Sequence, residues 1–98
     1  MPFYTYILTN LPRRTVLYTG HTDDLARRIS QHTDNADTPD FSARYNCRHL
    51  VWYEIHDTRE DAKAREASIK RWRREWKEAL VEEDNPDWRG LSEEEWLL

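Results

Sequence analysis

Hydrophobic and polar positions fall into short blocks whose period changes along the chain. Residues 3–9, Phe-Tyr-Thr-Tyr-Ile-Leu-Thr, are aromatic or β-branched and read as a strand. Asn10, Pro12 and two arginines then signal a turn, and Thr15-Val16-Leu17-Tyr18-Thr19 reads as a second strand, which makes a hairpin. After Gly20, Thr22 or Asp23 can cap a helix in which Leu25, Ala26 and Ile29 recur at helical spacing as far as about His32. Residues 33–47 are polar and predict a surface loop, with room for a helical turn around Ser42–Tyr45.

Strand character resumes at His49-Leu50-Val51-Trp52-Tyr53-Glu54-Ile55. Thr58 or Asp57 can cap a long helix over about 59–82, with Ala62, Ile69, Trp72, Trp76, Ala79 and Leu80 along one apolar stripe. Asn85-Pro86 should end it, and Ser92 with Glu95 fits a capping box for a short terminal helix to about Leu97. The order ββαβα, with that possible C-terminal helix, predicts an α+β fold: a small three-stranded antiparallel sheet flanked by helices, as one domain over 1–98. Its core should span about 3–89 and an acidic tail about 90–98.

Composition narrows the function. Ninety-eight residues permit one core, and five Trp, five Tyr and two Phe supply much of its buried area. No apolar run is long enough to span a bilayer, and Met1-Pro2-Phe3-Tyr4 lacks the features of a secretion signal, so a cytoplasmic protein without membrane contact is expected. Cys47 stands alone, without a disulfide partner or a zinc-ligand set, and reads as a small hydrophobe. Two glycines outside any Gly-rich run leave no phosphate-cradling loop, which excludes the common NTPase designs.

The net charge of −4 is unevenly spread. Residues 1–80 carry fourteen Lys and Arg against twelve acids, whereas 81–98 carry only Arg89 against seven. Arg65, Lys70, Arg71, Arg73, Arg74 and Lys77, interleaved with Trp72 and Trp76, form a basic segment suited to a nucleic-acid backbone; an exposed helix face balanced by Glu75 and Glu78 is the plainer alternative.

The layout also brings certain side chains together. Tyr4, Tyr6 and Leu8 share one face of strand one, and Val16, Tyr18 and Gly20 one face of strand two. If Leu8 lies opposite Val16, Tyr6 lies opposite Tyr18. Arg28 and His32 are one helical turn apart, and Glu66 sits beside the apolar stripe, where a carboxylate requires a partner.

Tyr6, the run Tyr18-Thr19-Gly20, then Asp24-Leu25-Ala26-Arg27-Arg28 with His32, and Ala64-Arg65-Glu66 in a later helix together resemble the GIY-YIG nuclease pattern. The likeness extends over residues 3–89 through Phe41, Tyr45-Asn46, Trp52-Tyr53-Glu54, Ile69-Lys70-Arg71-Trp72 and Asn85-Pro86-Asp87-Trp88, and is nearest to small stand-alone bacterial members. The resemblance implies hydrolysis of DNA phosphodiester bonds with one Mg²⁺ or Mn²⁺ held by Glu66, and the little surface of a lone small domain predicts structure-selective or weakly sequence-specific cleavage. Arg28 would neutralise phosphate charge, Tyr6 and Tyr18 would orient or deprotonate the attacking water, and His32 would support them. Gly20, His21, Lys70, Arg73, Arg74 and Asn85 are the expected substrate-binding residues.

Neither triplet, Tyr4-Thr5-Tyr6 or Tyr18-Thr19-Gly20, matches the family's name literally; Tyr6, Tyr18 and Gly20 are what is retained. His21 stands where some members carry a lysine, and a histidine there can act as a base or be only a loop residue. Each residue has a structural alternative: Tyr6 and Tyr18 as half-buried strand aromatics, Gly20 as a turn residue, Glu66 as a surface partner of Lys63 or Lys70. His49 and His56 read as structural. Two other functions stay open, a nucleic-acid-binding module using the basic segment, and a protein-interaction domain whose partner meets the acidic tail, as monomer or homodimer.

Overall fold

The computed structural model describes residues 2–10, 13–34 and 49–91, apart from the side chains of 31–34. The sheet has three strands, β1 (Phe3–Thr9), β2 (Leu17–Thr22) and β3 (His49–His56), in the order β2-β1-β3 and antiparallel throughout. Helix α1 (Leu25–Asp34) follows β2; α2 (Arg59–Lys70) and α3 (Arg74–Asp84) follow β3. The expected α+β architecture is therefore present. The expected helical turn at 42–45, the terminal helix at 92–97 and Cys47 lie outside the described residues.

Strand alternation divides the core in two. Tyr6 and Leu8 point to one face, where they pack with Leu50 and with Leu25 and Ile29 of α1. On the other face Ile7 meets Val51, Trp52, Ile69, Val81 and Trp88, beneath α2 and α3. Thr5, on that second face, is fully buried and donates its hydroxyl to the Ala62 carbonyl at 2.9 Å, tying α2 to the middle strand.

The hairpin differs from expectation in its turn. Strand β2 begins at Leu17 rather than Thr15, and Tyr6 lies opposite Gly20 while Leu8 lies opposite Tyr18. The loop consumes more residues because Asn10 holds it from inside: its side-chain oxygen accepts from Val16 N–H at 2.9 Å and its amide donates to Thr15 Oγ1 at 2.6 Å. Arg14 adopts φ 54° within it. A two-residue offset preserves the side-chain face, so Tyr6 and Tyr18 remain neighbours, diagonally, with ring centroids 6.5 Å apart.

The long helix expected over 59–82 is broken at Arg71–Arg73. At about 1.5 Å per residue a straight helix of that length would run roughly 36 Å, beyond the longest dimension of 30 Å. The break lets Ile69 and Val81 enter the same cluster with Trp72 partly buried between them, and it spares Lys70 and Arg74 a like-charged i,i+4 contact on one helix. The apolar stripe changes accordingly: Val81 is buried, whereas Trp76 and Ala79 are exposed.

Two caps also bear on the site. Thr58 caps α2 as expected, accepting from Asp61 N–H at 3.1 Å. For α1 the side-chain cap is Asp24, not Thr22 or Asp23, because its Oδ1 accepts from Arg27 N–H at 3.1 Å. Thr22 instead accepts from Asp24 N–H and fixes the approach to the helix.

Candidate active site

On the α1 face of the sheet, Tyr6 is fully buried and Gly20 lies directly opposite it. A Cβ on Gly20 would stand 2.5 Å from the Tyr6 hydroxyl oxygen and 2.7 Å from Cζ, so the tyrosine ring occupies the space left by the missing side chain. Arg28 Nε–H reaches the same hydroxyl at 3.3 Å from α1. Burial pushes the Tyr6 phenol from its ordinary 10.0 up to about 12, with Arg28 pulling it down, and the charges of Tyr18 and Glu66 adding to the rise. Arg28 in turn holds its proton more firmly, mainly through the Tyr6 hydrogen bond, which outweighs its own desolvation, with Tyr18 adding to the rise.

The opposite face of β2 carries His21, whose Nδ1 lies 2.7 Å from Glu66 Oε1 on α2. Lys70 Nζ, one turn further along α2, sits 3.0 Å from Glu66 Oε2. Partial burial works against the Glu66 charge, but the hydrogen bonds of His21 and Lys70, with the Lys70 charge, outweigh it and leave the carboxyl below its ordinary range. An ionised carboxylate only accepts, so His21 Nδ1 must carry the proton and Nε2 the lone pair in the neutral ring. The carboxylate beside the apolar stripe thus has the partner its position requires.

The two groups lie on either side of β2, an edge strand whose residue between them, Gly20, has no side chain. The Glu66 charge is nonetheless felt at the Tyr6 phenol, which links Tyr6, Tyr18 and Arg28 on one side with His21, Glu66 and Lys70 on the other. The side chain of His32, expected beside Arg28, lies outside the described residues, although its backbone belongs to α1.

Three other nominated residues lie apart from this cluster. Asn85 is buried, and its amide donates to the carbonyls of Val51 at 3.1 Å and Arg89 at 3.0 Å while its oxygen accepts from Arg89 N–H. Val51 is the unmatched residue of a bulge, since Ile7 pairs with Trp52 and Leu8 with Leu50. Asn85 therefore satisfies a carbonyl that a bulge leaves without a ladder partner. Arg74 donates to the backbone carbonyls of Arg14 and Thr15 and to Glu78, clamping the hairpin loop onto α3. Arg73 is exposed, with its guanidinium 5.6 Å from the Trp76 ring centre. Arg65, part of the same basic segment, is engaged by Glu54 at 3.1 Å and lies over Trp52 and Trp72.

No group of three or more His, Cys, Asp or Glu able to enclose a metal occurs among the described residues. Among the described residues of the cluster the available donor is the Glu66 carboxylate, held ionised. A hard oxygen donor of this kind fits Mg²⁺, which keeps several waters and shares its coordination with substrate oxygens. Lys70, whose side chain is about half exposed, can release Oε2 for that purpose. No described helix is long and apolar enough to cross a membrane.

Comparison with known proteins gives matches over most of the chain. The GIY-YIG catalytic domain model matches residues 2–79. A UPF0213 protein from Haloquadratum walsbyi is 40% identical over 67 residues, which cover 68% of this chain and 74% of that protein. The solution NMR structure of the UPF0213 protein from Bacillus halodurans superposes with a TM-score of 0.56 at 29% identity, covering 96% of this chain and 97% of that one.

Proposed function

The chain belongs to the GIY-YIG family, and from that premise we propose that it is a divalent-metal-dependent nuclease that hydrolyses DNA phosphodiester bonds. The observation that carries the reading is the Glu66 carboxylate, kept charged by His21 and Lys70, whose charge is felt at the Tyr6 phenol that Arg28 also meets.

Glu66 is the residue that would hold Mg²⁺ or Mn²⁺, whose chemistry is to offset phosphate charge and make a water more acidic. Arg28 binds the phosphate through its guanidinium and gains most as negative charge shifts toward the bridging and leaving oxygens. Tyr6, with a phenol near 12, keeps its proton at neutral pH and acts as a hydrogen-bond donor that orients water or phosphate, not as a base. His21 is the better proton acceptor: its Nδ1–H is held by Glu66, which leaves Nε2 to take a proton from the attacking water. Tyr18 pairs with Arg28 and orients the same groups. A small domain offers little surface for reading a long sequence, so substrate choice rests on DNA structure more than on base order.

The test is cleavage of labelled single-stranded, duplex, flapped and branched DNA with Mg²⁺ or Mn²⁺. Wild type should cut at least one of these, and Glu66→Ala and Arg28→Ala should each abolish cutting. Cleavage retained by Glu66→Ala would overturn the assignment.

A further inference from the structure

Between Lys70 and Lys77 the sequence reads Lys-Arg-Trp-Arg-Arg-Glu-Trp-Lys, five cations against one acid in a chain whose net charge is −4. The break between α2 and α3 falls inside this run and turns most of it outward: Lys70, Arg71, Arg73, Arg74 and Trp76 are all exposed. Trp76 is 54% exposed, one of two large hydrophobic side chains left so open among the described residues. A lone exposed apolar residue needs no special cause. This one is braced by a second ring and carries a guanidinium over its own, within a run of five cations, and both facts call for a cause.

Trp72 supplies the mounting. Its ring is partly buried against the cluster of Ile69 and Val81, and it meets Trp76 edge to face with centroids 6.4 Å apart. Trp76 is thereby braced on one side by a ring that belongs to the core, so little freedom remains to be lost when a ligand covers its open surface. Arg73 lies over Trp76 at 5.6 Å, and its acidic neighbour among the described residues, Glu75, is 4.0 Å away with both side chains well exposed, too loose a pair to cancel its charge. Lys77 is part-buried, and its ammonium is pushed below its ordinary value by that burial and then by the charges of Arg74 and Lys70. Lys77 thus feels the repulsion of Arg74 and Lys70, a cost that a polyanion relieves.

The run also connects directly to the candidate active site, because Lys70 touches Glu66 at 3.0 Å. We infer that Trp76, with Arg73 over its ring and Arg71 and Lys77 in the same basic run, is a stacking platform for an unpaired base of single-stranded DNA leading away from the phosphate at Glu66. An indole face and a backbone-tracking set of cations are what single strands require; bases inside a duplex have no face to offer a ring on a helix surface. The placement of the strand relative to the scissile bond rests on the nuclease reading above. The platform itself does not.

Binding separates the two. Fluorescence anisotropy with labelled oligo(dT) and a duplex of equal length, in EDTA so that no cleavage contributes, would be measured for wild type, Trp76→Ala and Trp76→Phe, with circular dichroism confirming the fold of each. Trp76→Ala should weaken oligo(dT) binding roughly tenfold or more, Trp76→Phe should stay within about threefold of wild type because it keeps an aromatic face, and duplex affinity should change less than about twofold for either. Equal losses on both DNAs, an unchanged oligo(dT) affinity in Trp76→Ala, or a wild type that does not bind oligo(dT) would each overturn the platform. A wild type that binds oligo(dT) in this way but cuts nothing would overturn the nuclease reading and leave the platform standing.

Discussion

Gly20 and Tyr6 face each other across the hairpin so closely that any side chain on the glycine would enter the tyrosine ring, with Cβ 2.5 Å from the hydroxyl oxygen and 2.7 Å from Cζ. The requirement here is for space, since Gly20 has no positive φ. Tyr6 is fully buried between Leu8, α1 and β3, and a flat ring has no flexible end to yield. Gly20→Ala should therefore displace Tyr6 and, with it, the hydroxyl that meets Arg28. The expected cost is about 1–3 kcal/mol of stability by urea denaturation, together with loss of cleavage at temperatures where the variant is still folded. A variant as stable and as active as wild type would show that the ring is free to move.

Tyr6→Phe tests the buried phenol itself. The folded state holds this proton up to about 12, while an unfolded tyrosine releases it near 10.0. The folded state therefore binds more protons between those values, so stability is full below pH 10 and falls as pH rises toward 12. The wild type should lose on the order of 2–3 kcal/mol across that window from this group alone. Tyr6→Phe should show a correspondingly flatter profile in thermal melts from pH 9 to pH 12, after allowance for the lysines common to both proteins.

Much of this was legible in the chain because it depends on local periodicity. Alternation in β1 and β2 places Tyr6 and Tyr18 on one face whatever the even offset between strands, and the helical spacing of Leu25 and Ile29 turns α1 toward that face with Arg28 at its margin. The anomaly of a carboxylate at Glu66 beside an apolar stripe likewise marked a partner before any partner was known. What was not legible depends on residues far apart. The hairpin loop is set by Asn10 from within and by Arg74 from 60 residues away, so its length could not be read from Pro12 and its neighbours. The break at Arg71–Arg73 contains neither Pro nor Gly and follows from the size of the sheet that α2 and α3 must both cover. The bulge at Val51 and its repair by Asn85 join positions 34 apart, and the contact of His21 with Glu66 joins positions 45 apart.

Asn85 illustrates how such a residue should behave. Its side chain satisfies two carbonyls and one N–H in a buried setting. Asn85→Ala leaves the Val51 carbonyl without its donor and opens space beside β3, so stability should drop by about 2–4 kcal/mol in urea denaturation. Below the melting temperature of the variant, the KM of any cleavage reaction should stay close to that of wild type, because the amide is occupied by backbone groups. A rise in KM without loss of stability would instead place Asn85 against the DNA, as the family resemblance implies.

Glu66→Gln separates the chemical role of the carboxylate from its structural one. Glutamine keeps the shape and can still accept from His21, but it carries no charge with which to hold a divalent cation or Lys70. Mg²⁺-dependent cleavage should fall to background while the fold is retained. The stability effect should be small, about 1 kcal/mol or less at pH 7, since solvent screens a pair that includes a half-exposed lysine. Its pH dependence has a definite sign: the folded carboxyl titrates below its ordinary 4.5, so the contribution is present above that value and is lost as pH falls through the lower folded value. Thermal melts of wild type and Glu66→Gln should therefore differ near neutrality and converge in acid. A difference that persists undiminished at pH 2 would mean that Glu66 supports the fold through packing and not through its charge.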